Sequence, residues 1–366
     1  MAFRADDERF MRLALDEARK GLGRTHPNPA VGAVIVKAGK VIATGYHARA
    51  GTAHAEANAL MLAGAKAKGA TIYSTLEPCD HFGRTPPCTQ AILDHGLSRV
   101  VYGSSDPNPL VDGKGVRRMM RAGLAVTGGV LAAECDALNE PFFKVMRTGL
   151  PFVTVKAGLT LDGKIATSAG QSKWITSEAA RAHAHALRDR ADAVVVGAGT
   201  VVADDPALTT RIPDGRDAMR VVIDPQLRTK PTAKVYAANG PRVMVVTARP
   251  ADSARARAFT KLGVQVVTVS ERKGRLDLDA ALRALVKLGV LHLLVEGGAT
   301  TTGRFFEAGL VDELVLFIAP KLFGADGLSW VGALGVREVA DAPGFRVTGL
   351  EQVGEDVMLR VRPRRP

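Results

Sequence analysis

Three side chains with metal-binding chemistry, His54, Cys79 and Cys88, constrain this chain more than anything else in it, because one ion can be held only if all three reach a single point. One His and two Cys make a three-ligand zinc site whose fourth position stays open to water. His54 and Glu56 open an apolar helix pattern. The cysteines bound the string Cys79-Asp80-His81-Phe82-Gly83-Arg84-Thr85-Pro86-Pro87-Cys88, which Glu77-Pro78 and the strand-like run Ala70-Thr-Ile-Tyr-Ser-Thr-Leu76 precede. Zinc lowers the pKa of bound water from about 16 to about 7. Glu56, which is not needed as a ligand, can then take a proton from the attacking water and deliver it to a departing amine. A His-x-Glu alone is noise, and paired cysteines are more often buried thiols; the ordered set carries the reading.

That order, H-x-E followed by P-C, is the signature of zinc deaminases. Deaminases of nucleosides and nucleic acids place two residues between the cysteines, whereas eight lie between Cys79 and Cys88. The larger loop puts extra polar groups beside the metal, so the expected substrate is not a plain nucleoside. His81 lies in that loop, but three ligands already suffice without it.

A chain of 366 residues is long for one core and comfortable for two domains. No apolar run approaches the roughly 20 residues of a membrane span. The first residues are charged, with no apolar segment of the kind a signal peptide needs. Cys135 has no partner and reads as a core thiol; three cysteines in all fit a reducing cytoplasm. The net charge of +12 suggests an anionic ligand. Its basic residues are scattered, apart from the tail Arg360-Val-Arg-Pro-Arg-Arg-Pro366, and no aromatic-interleaved basic stripe of the single-strand-binding kind is present. A small phosphorylated ligand is therefore expected, rather than nucleic acid or a membrane.

The first part alternates helix and strand. A helix is expected from Asp6 to Gly21, a hairpin over Val31–Val36 and Val41–Tyr46, and a helix from His54 to Leu62. Strand Thr71–Thr75, helix Cys88–His95, strand Arg99–Gly103, helix Gly115–Ala122 and strand Leu124–Thr127 follow. Both His54 and Cys88 would open helices, aiming N–H groups and the positive dipole end at the site. The pattern breaks near Lys144, and Met146-Arg-Thr-Gly-Leu-Pro151 reads as a linker between domains 1–146 and 151–366. A second α/β pattern then runs through strands at 152–156, 193–197, 220–224, 242–247, 264–268, 292–296 and 312–318. Helices are expected at 177–187, 254–262, 279–288 and 302–308, and a closing β-ribbon at 346–362. The fold class is α/β in both halves.

Two glycine-rich turns follow strands in the second half, Val196-Gly-Ala-Gly-Thr200 and Glu296-Gly-Gly-Ala-Thr-Thr-Thr-Gly303. Such turns let phosphate approach backbone N–H groups at a helix start. Neither is the dinucleotide fingerprint, and a simple tight turn accounts equally well for one alone; two in one domain favour a nucleotide cofactor.

Taken together, the chain resembles the bifunctional riboflavin-biosynthesis deaminase–reductases. The matching strings are His26-Pro-Asn-Pro-Ala-Val-Gly-Ala-Val-Ile-Val36, Gly45-Tyr-His47, His54-Ala-Glu56, Glu77 to Cys88, and Asp106-Pro-Asn-Pro109. In the second half they are Lys156 to Ala166, Ser172-Lys-Trp-Ile-Thr-Ser177, Gly199 to Arg211, and Val295-Glu-Gly-Gly298. They cover nearly the whole chain. The resemblance implies a cytidine-deaminase-like N-terminal domain and a dihydrofolate-reductase-like C-terminal domain using NADPH. The first would remove the 2-amino group of 2,5-diamino-6-(5-phosphoribosylamino)pyrimidin-4-one with Zn2+ on His54, Cys79 and Cys88 and with Glu56 as catalytic residue. The second would reduce the ribosyl group to ribityl.

The resemblance also assigns contacts. Asn28 and His47 would hold the pyrimidine, and Asp106 and Asn108 border it. Cofactor contacts would come from Gly158, Trp174, Thr200, Asp204, Pro225 and the segment Gly298, Ala299, Thr300, Thr301, Thr302, Gly303 and Arg304. Reductase substrate contacts would come from Lys156, Ser172, Arg188, Leu208, Arg211 and Glu296. Arg188 and Arg211 suit the substrate phosphate through the bidentate guanidinium fork. Pro225 replaces an expected Ser, which removes a hydroxyl and an N–H. Arg249 is a candidate for the 2′-phosphate of NADPH, and Trp174 is otherwise a core residue. A homo-oligomer is expected. The rival enzyme is a nucleoside or tRNA deaminase fused to a nucleotide-binding regulatory domain; the eight-residue cysteine spacing and the second-half motifs count against it. A degenerate binder is opposed by the intact His54, Glu56, Cys79 and Cys88. An RNA-binding module rests on charge alone.

Overall fold

Val34, Ile35 and Val36 are buried while Lys37 and Lys40 are exposed, so the hairpin turns where the apolar run ends. The computed structural model describes residues 5–82, 86–108, 111, 113–237, 240, 242–272 and 274–364. Residues 1–4, residues 83–85 of the cysteine loop, Pro109 and the last two residues of the basic tail lie outside that set. The chain divides into two compact units, Met1–Gly149 and Leu150–Pro366.

The first unit begins with α1 (Asp7–Arg19), β1 (Gly32–Lys37), β2 (Lys40–Tyr46), α2 (Ala55–Ala63) and β3 (Thr71–Leu76). It continues through α3 (Cys88–Asp94), β4 (Arg99–Ser104), α4 (Lys114–Arg121), β5 (Ala125–Gly128), α5 (Ala132–Leu138) and α6 (Glu140–Thr148). The sheet order is β2-β1-β3-β4-β5; β1 runs antiparallel to β2 and β3, and β3, β4 and β5 are parallel. Helix α2 lies on the hairpin because Gly45 has no side chain: a Cβ there would stand 2.5 Å from the Ala55 carbonyl oxygen. Arg99 anchors α1 by donating from Nη1 and Nη2 to the two Asp7 carboxylate oxygens at 2.7 and 2.8 Å, in full burial.

Two sequence expectations need correction here. Helices α5 and α6 went unread, and Met146, Arg147 and Thr148 end α6 rather than belonging to a linker; the connection is only Gly149-Leu150-Pro151. Gly149 stops the helix at φ +68, a conformation that suits glycine. Cys135 sits fully buried on α5, as a core thiol would.

The second unit contains β6 (Phe152–Thr160), β7 (Lys164–Ala166), α7 (Glu178–Arg190), β8 (Ala193–Gly197), α8 (Ala198–Asp204), β9 (Met219–Ile223) and β10 (Val243–Thr247). Next come α9 (Ala254–Thr260), β11 (Gln265–Thr268), β12 (Glu271–Arg272), β13 (Arg275–Leu276), α10 (Leu278–Lys287) and β14 (His292–Val295). The chain ends with α11 (Ala299–Glu307), β15 (Glu313–Ala319), β16 (Leu328–Ser329), β17 (Phe345–Val353) and β18 (Asp356–Pro363). The main sheet runs β11-β10-β9-β8-β14-β6-β15-β18-β17, parallel as far as β15 and antiparallel over the last two strands. Val194, Val195, Leu293, Leu294 and Val295 are buried on both faces, as strands sandwiched between helix layers must be. Both glycine turns prove to be helix starts. The first is the beginning of α8, and α11 begins three residues before the expected Thr302.

Candidate functional site

His54 caps α2 with extended backbone, Cys88 is the first residue of α3, and Cys79 follows the end of β3 by three residues. Strand and helix starts thus deliver the three groups to one place. His54 Nδ1 lies 3.3 Å from Cys88 Sγ and 3.6 Å from Cys79 Sγ, and all three ligand atoms fall within 4.8 Å of one another. A tetrahedral zinc at about 2.3 Å from sulfur and about 2.0 Å from nitrogen needs ligand atoms roughly 3.5 Å apart, so the set fits the ion. The charge balance fits as well. The neighbouring Cys88 sulfur, then His54, pull the Cys79 thiol down to about 4, while contact with Cys79 and burial push Cys88 well above its usual range. Two thiols sharing one proton become two thiolates only when a cation replaces that proton.

Glu56, in the first turn of α2, is buried at 3% exposure. Its Oε1 accepts from Ser74 Oγ at 3.4 Å, and Oε2 lies 3.5 Å from Cys88 Sγ. Burial first, and the Cys79 charge second, raise its pKa. A carboxyl group raised toward neutrality can both take and return a proton.

A cavity of about 310 Å³ opens over this centre, and Asn28, His47, His54, Glu56, Cys79, Asp106 and Asn108 all line it. His47 Nδ1 is 3.0 Å from the Ala53 carbonyl, which makes it the protonated nitrogen, so Nε2 accepts from Asn28 Nδ2 at 3.1 Å. Burial lowers the His47 pKa and keeps the ring neutral. Burial also pushes Asp106 up to about 6, and its Oδ1 accepts from the Asn108 backbone N–H at 2.8 Å. His81 faces the cavity but is not among the three clustered ligands. Sequence reasoning missed Phe142, an apolar wall supplied by α6. Its signal was present in Asn139-Glu140-Pro141, with Pro in the first helical turn. Asn139 also holds the Asn28 segment: its Oδ1 accepts from Ala30 N at 2.8 Å and its Nδ2 donates to Ala30 O at 2.9 Å.

In the second unit a cavity of about 600 Å³ lies beyond the carboxyl ends of β8, β9 and β14, where open parallel sheets take their ligands. Ser172, Thr200, Asp204, Pro225, Gly298, Ala299, Thr300, Thr301 and Arg304 line it. Thr200 Oγ1 accepts from the Gly298 N–H at 3.2 Å and so joins the starts of α8 and α11. Gly158, Trp174, Thr302 and Gly303 do not line it. Because α11 already begins at Ala299, Thr302 turns inward to 2% exposure, and a Cβ on Gly303 would meet Gly332 at 3.3 Å. Gly158 is mid-strand on β6, opposite Thr176. Trp174 is not core: it is 62% exposed, with the Arg181 guanidinium 4.4 Å from its ring centroid. Pro225 keeps its carbonyl at the cavity wall, where it accepts from Thr247 Oγ1 at 3.0 Å.

Lys156, Arg188 and Glu296 form a largely buried ion cluster. Arg188 donates from Nε and Nη2 to Glu296 at 2.6 and 3.0 Å, and Lys156 Nζ lies 3.4 Å from the same carboxylate. Arg188, expected at the substrate phosphate, commits its Nε and Nη2 to Glu296. Arg211 is exposed, with no hydrogen bond or ion pair among the described residues. Its charge, after burial and Arg188, helps to lower the pKa of His185 on α7. Leu208 has a buried side chain and φ +54, so only its backbone is offered to a ligand. Arg249 is exposed but does not line the cavity. Arg228 does, with Nη2 3.6 Å from where a Cβ on Gly199 would stand. It lies in the segment after Asp224, to which the resemblance assigns cofactor contacts without naming it, because it follows the strand by several residues in a stretch without periodicity.

Comparison with known proteins gives the family of both units. Residues 151–359 match the RibD C-terminal domain, and residues 4–104 match the cytidine and deoxycytidylate deaminase zinc-binding region. The riboflavin biosynthesis protein RibD of Aquifex aeolicus is 47% identical over 96% of this chain and 97% of its own. That of Escherichia coli is 43% identical over 97% and 99%. Among solved structures, Acinetobacter baumannii RibD superposes with a TM-score of 0.91 at 37% identity, covering 98% of this chain and 99% of that one. A diaminohydroxyphosphoribosylaminopyrimidine deaminase/5-amino-6-(5-phosphoribosylamino)uracil reductase from Thermotoga maritima gives 0.87 at 38% identity, with the same coverage.

Proposed function

Because the chain belongs to the RibD family of riboflavin-biosynthesis enzymes, we propose a specific course for its two reactions. It is a bifunctional deaminase and reductase, with a cytidine-deaminase-like zinc-binding unit followed by a reductase unit related to the dihydrofolate-reductase fold and using NADPH. Family membership removes the rival regulatory-domain reading. The proposed substrate is 2,5-diamino-6-(5-phosphoribosylamino)pyrimidin-4-one, the compound expected from the sequence.

In the first reaction water adds at C2 and ammonia leaves. His54, Cys79 and Cys88 would hold zinc, which would supply a nucleophilic water at neutral pH. Glu56 takes a proton from that water and returns it to the departing amine. Asn28 and the neutral His47 orient the ring, Phe142 covers one side, and Asp106 and Asn108 border it. The observation that carries this reading is the convergence of Glu56 with the three clustered ligands, two of which, His54 and Cys79, line one cavity together with Glu56.

In the second reaction the residues of the second cavity would hold NADPH, which would supply the hydride taken up at C1 of the opened ribose. The cofactor's phosphates are assigned to the N–H groups at the start of α11, near Thr200 and Thr301. Arg228, rather than Arg249, is assigned to its 2′-phosphate. Arg211 takes the substrate phosphate, Arg188 positions Glu296, and Lys156 lies close to the reacting sugar. A cytoplasmic homo-oligomer completes the reading. Three free cysteines and the lack of any described helix long and apolar enough to cross a membrane support the first part. The outer strand β17, with Val347 and Leu350 exposed, supports the second.

The test is ammonia release and NADPH oxidation by the zinc-loaded protein given that substrate. Ammonia followed by NADPH consumption, the second dependent on the first, is the expected outcome; ammonia with no NADPH oxidation would overturn the reductase half.

A further inference from the structure

The eight residues between Cys79 and Cys88 pose a problem that a two-residue spacer does not have. A short turn fixes two sulfurs by covalent geometry, whereas each doubling of loop length adds about 0.6 kcal/mol to the cost of closing the ring. Something other than the loop must hold the sulfurs together.

The residues immediately after the two cysteines meet. Thr89 Oγ1 donates to Asp80 Oδ1 at 2.5 Å, and the Thr89 N–H donates to the Cys79 carbonyl at 3.2 Å. Arg118, from the middle of α4, closes over both. Its Nη1 donates to Asp80 Oδ1 at 2.7 Å and lies 3.4 Å from Thr89 Oγ1, and its Nη2 donates to Gln90 Oε1. Helix α4 can come this near because Gly115 packs onto the same two segments. A Cβ there would stand 2.4 Å from the Pro78 carbonyl oxygen and 3.0 Å from Thr89 Cγ2. The final link is the Cys88 N–H, which donates to Cys79 Sγ at 3.4 Å.

We infer that Arg118, Asp80 and Thr89 form a clamp that presets the Cys79–Cys88 spacing for zinc, replacing the short turn and leaving His81 between the cysteines to face the cavity. Arg118 touches neither ligand atom; it is a positioning residue, acting through Asp80 and Thr89. His81 on the cavity wall and the highly exposed Phe82 are consistent with a loop released from metal-holding duty. The inference rests on the zinc reading above.

The experiment times zinc loss from the full-length holoenzyme to a chelator. Residues that orient metal ligands change affinity by about 10- to 100-fold when removed, so Arg118→Met should release zinc about that much faster. Arg118→Lys, which can rebuild the Asp80 pair but not the Gln90 contact, should fall between. Thr89→Val deletes one hydroxyl at constant shape and decides the matter should Arg118→Met fail to fold. NADPH-dependent reduction of the already deaminated pyrimidine should be unchanged in all three. Zinc release from Thr89→Val within twofold of the unaltered protein overturns the clamp, as does a lowered melting temperature in Arg118→Lys with no change in release. An unaltered protein that holds no zinc would instead overturn the metal reading itself.

Discussion

Arg188 and Glu296, 108 residues apart in sequence, are joined by two parallel hydrogen bonds, Nε to Oε1 at 2.6 Å and Nη2 to Oε2 at 3.0 Å. This is the geometry in which guanidinium and carboxylate match best. It binds the last turn of α7 to the end of β14. Burial alone would raise the Glu296 pKa, but the charges of Lys156 and Arg188 more than reverse that and hold it well below the usual carboxylate range. A depressed folded-state pKa stabilises fully above the unfolded value near 4.5 and is lost as pH falls below it. Stability of the reductase unit should therefore fall as pH drops from about 4.5, and Glu296→Gln should flatten that decline. Denaturant melts at a series of pH values measure this; a decline of equal slope in the variant would remove Glu296 from the account.

Breaking the pair from the other side has a different cost. Arg188→Met leaves a buried carboxylate with Lys156 as its remaining cation, and losing one partner of a buried pair typically costs about 3–5 kcal/mol. The expected outcome is a lower melting temperature for the reductase transition. The deaminase transition should be unaffected, as calorimetry on the full chain would show.

Arg211 differs from Arg188 in being exposed and uncommitted. If it takes the substrate phosphate, Arg211→Ala should raise the reductase KM for the phosphorylated pyrimidine by about 10- to 100-fold, since a hydrogen bond to a charged group contributes about 1.5–3 kcal/mol. The change should fall on KM more than on kcat, and the variant should respond equally to a substrate lacking the phosphate. Steady-state kinetics with both compounds separates the cases.

Most strands and helix starts were legible because parallel strands such as Ala193–Gly197 are continuous apolar runs, and helices such as α2 start at polar caps followed by an apolar stripe. The zinc set was legible for another reason. Its residue types are scarce, and its spacing marks two helix starts. One failure arose because glycine and threonine do not announce helix. The starts of α8 and α11 were read as turns, so α11 was expected to begin three residues late, at Thr302, which proves buried. The ion pairing of Arg188 was equally hidden, because Glu296 reaches it only through the crossover that puts β14 beside β8.

Arg228 makes the cofactor preference testable. Its guanidinium lines the cavity beside Gly199, and its backbone N–H donates to the buried Asp224 Oδ1 at 3.0 Å, which fixes where the side chain departs. NADPH and NADH differ only in the 2′-phosphate, so a residue serving that group must discriminate between them. Arg228→Ser should raise the KM for NADPH by roughly tenfold or more and leave that for NADH within a factor of about two, given what one charge-assisted hydrogen bond contributes. Equal losses for both cofactors would mean that Arg228 supports the loop rather than reading the phosphate.

Glu56 offers the sharpest separation of the two units. Its carboxylate lies 3.5 Å from Cys88 Sγ but is not one of the three ligand atoms that cluster, so removing it should spare the metal. Glu56→Ala should retain zinc and release no ammonia, with at least a 100-fold loss expected for a missing proton shuttle. The same variant, supplied with the already deaminated pyrimidine, should oxidise NADPH at the normal rate, because the hydride step uses residues of the other unit. Metal content, ammonia and NADPH consumption measured on one preparation decide between the roles. Loss of zinc would recast Glu56 as a support for the ligands. Normal ammonia release would transfer proton movement to another carboxyl at the cavity, and the lining offers Asp106, already pushed up to about 6, and Glu77, also raised by burial.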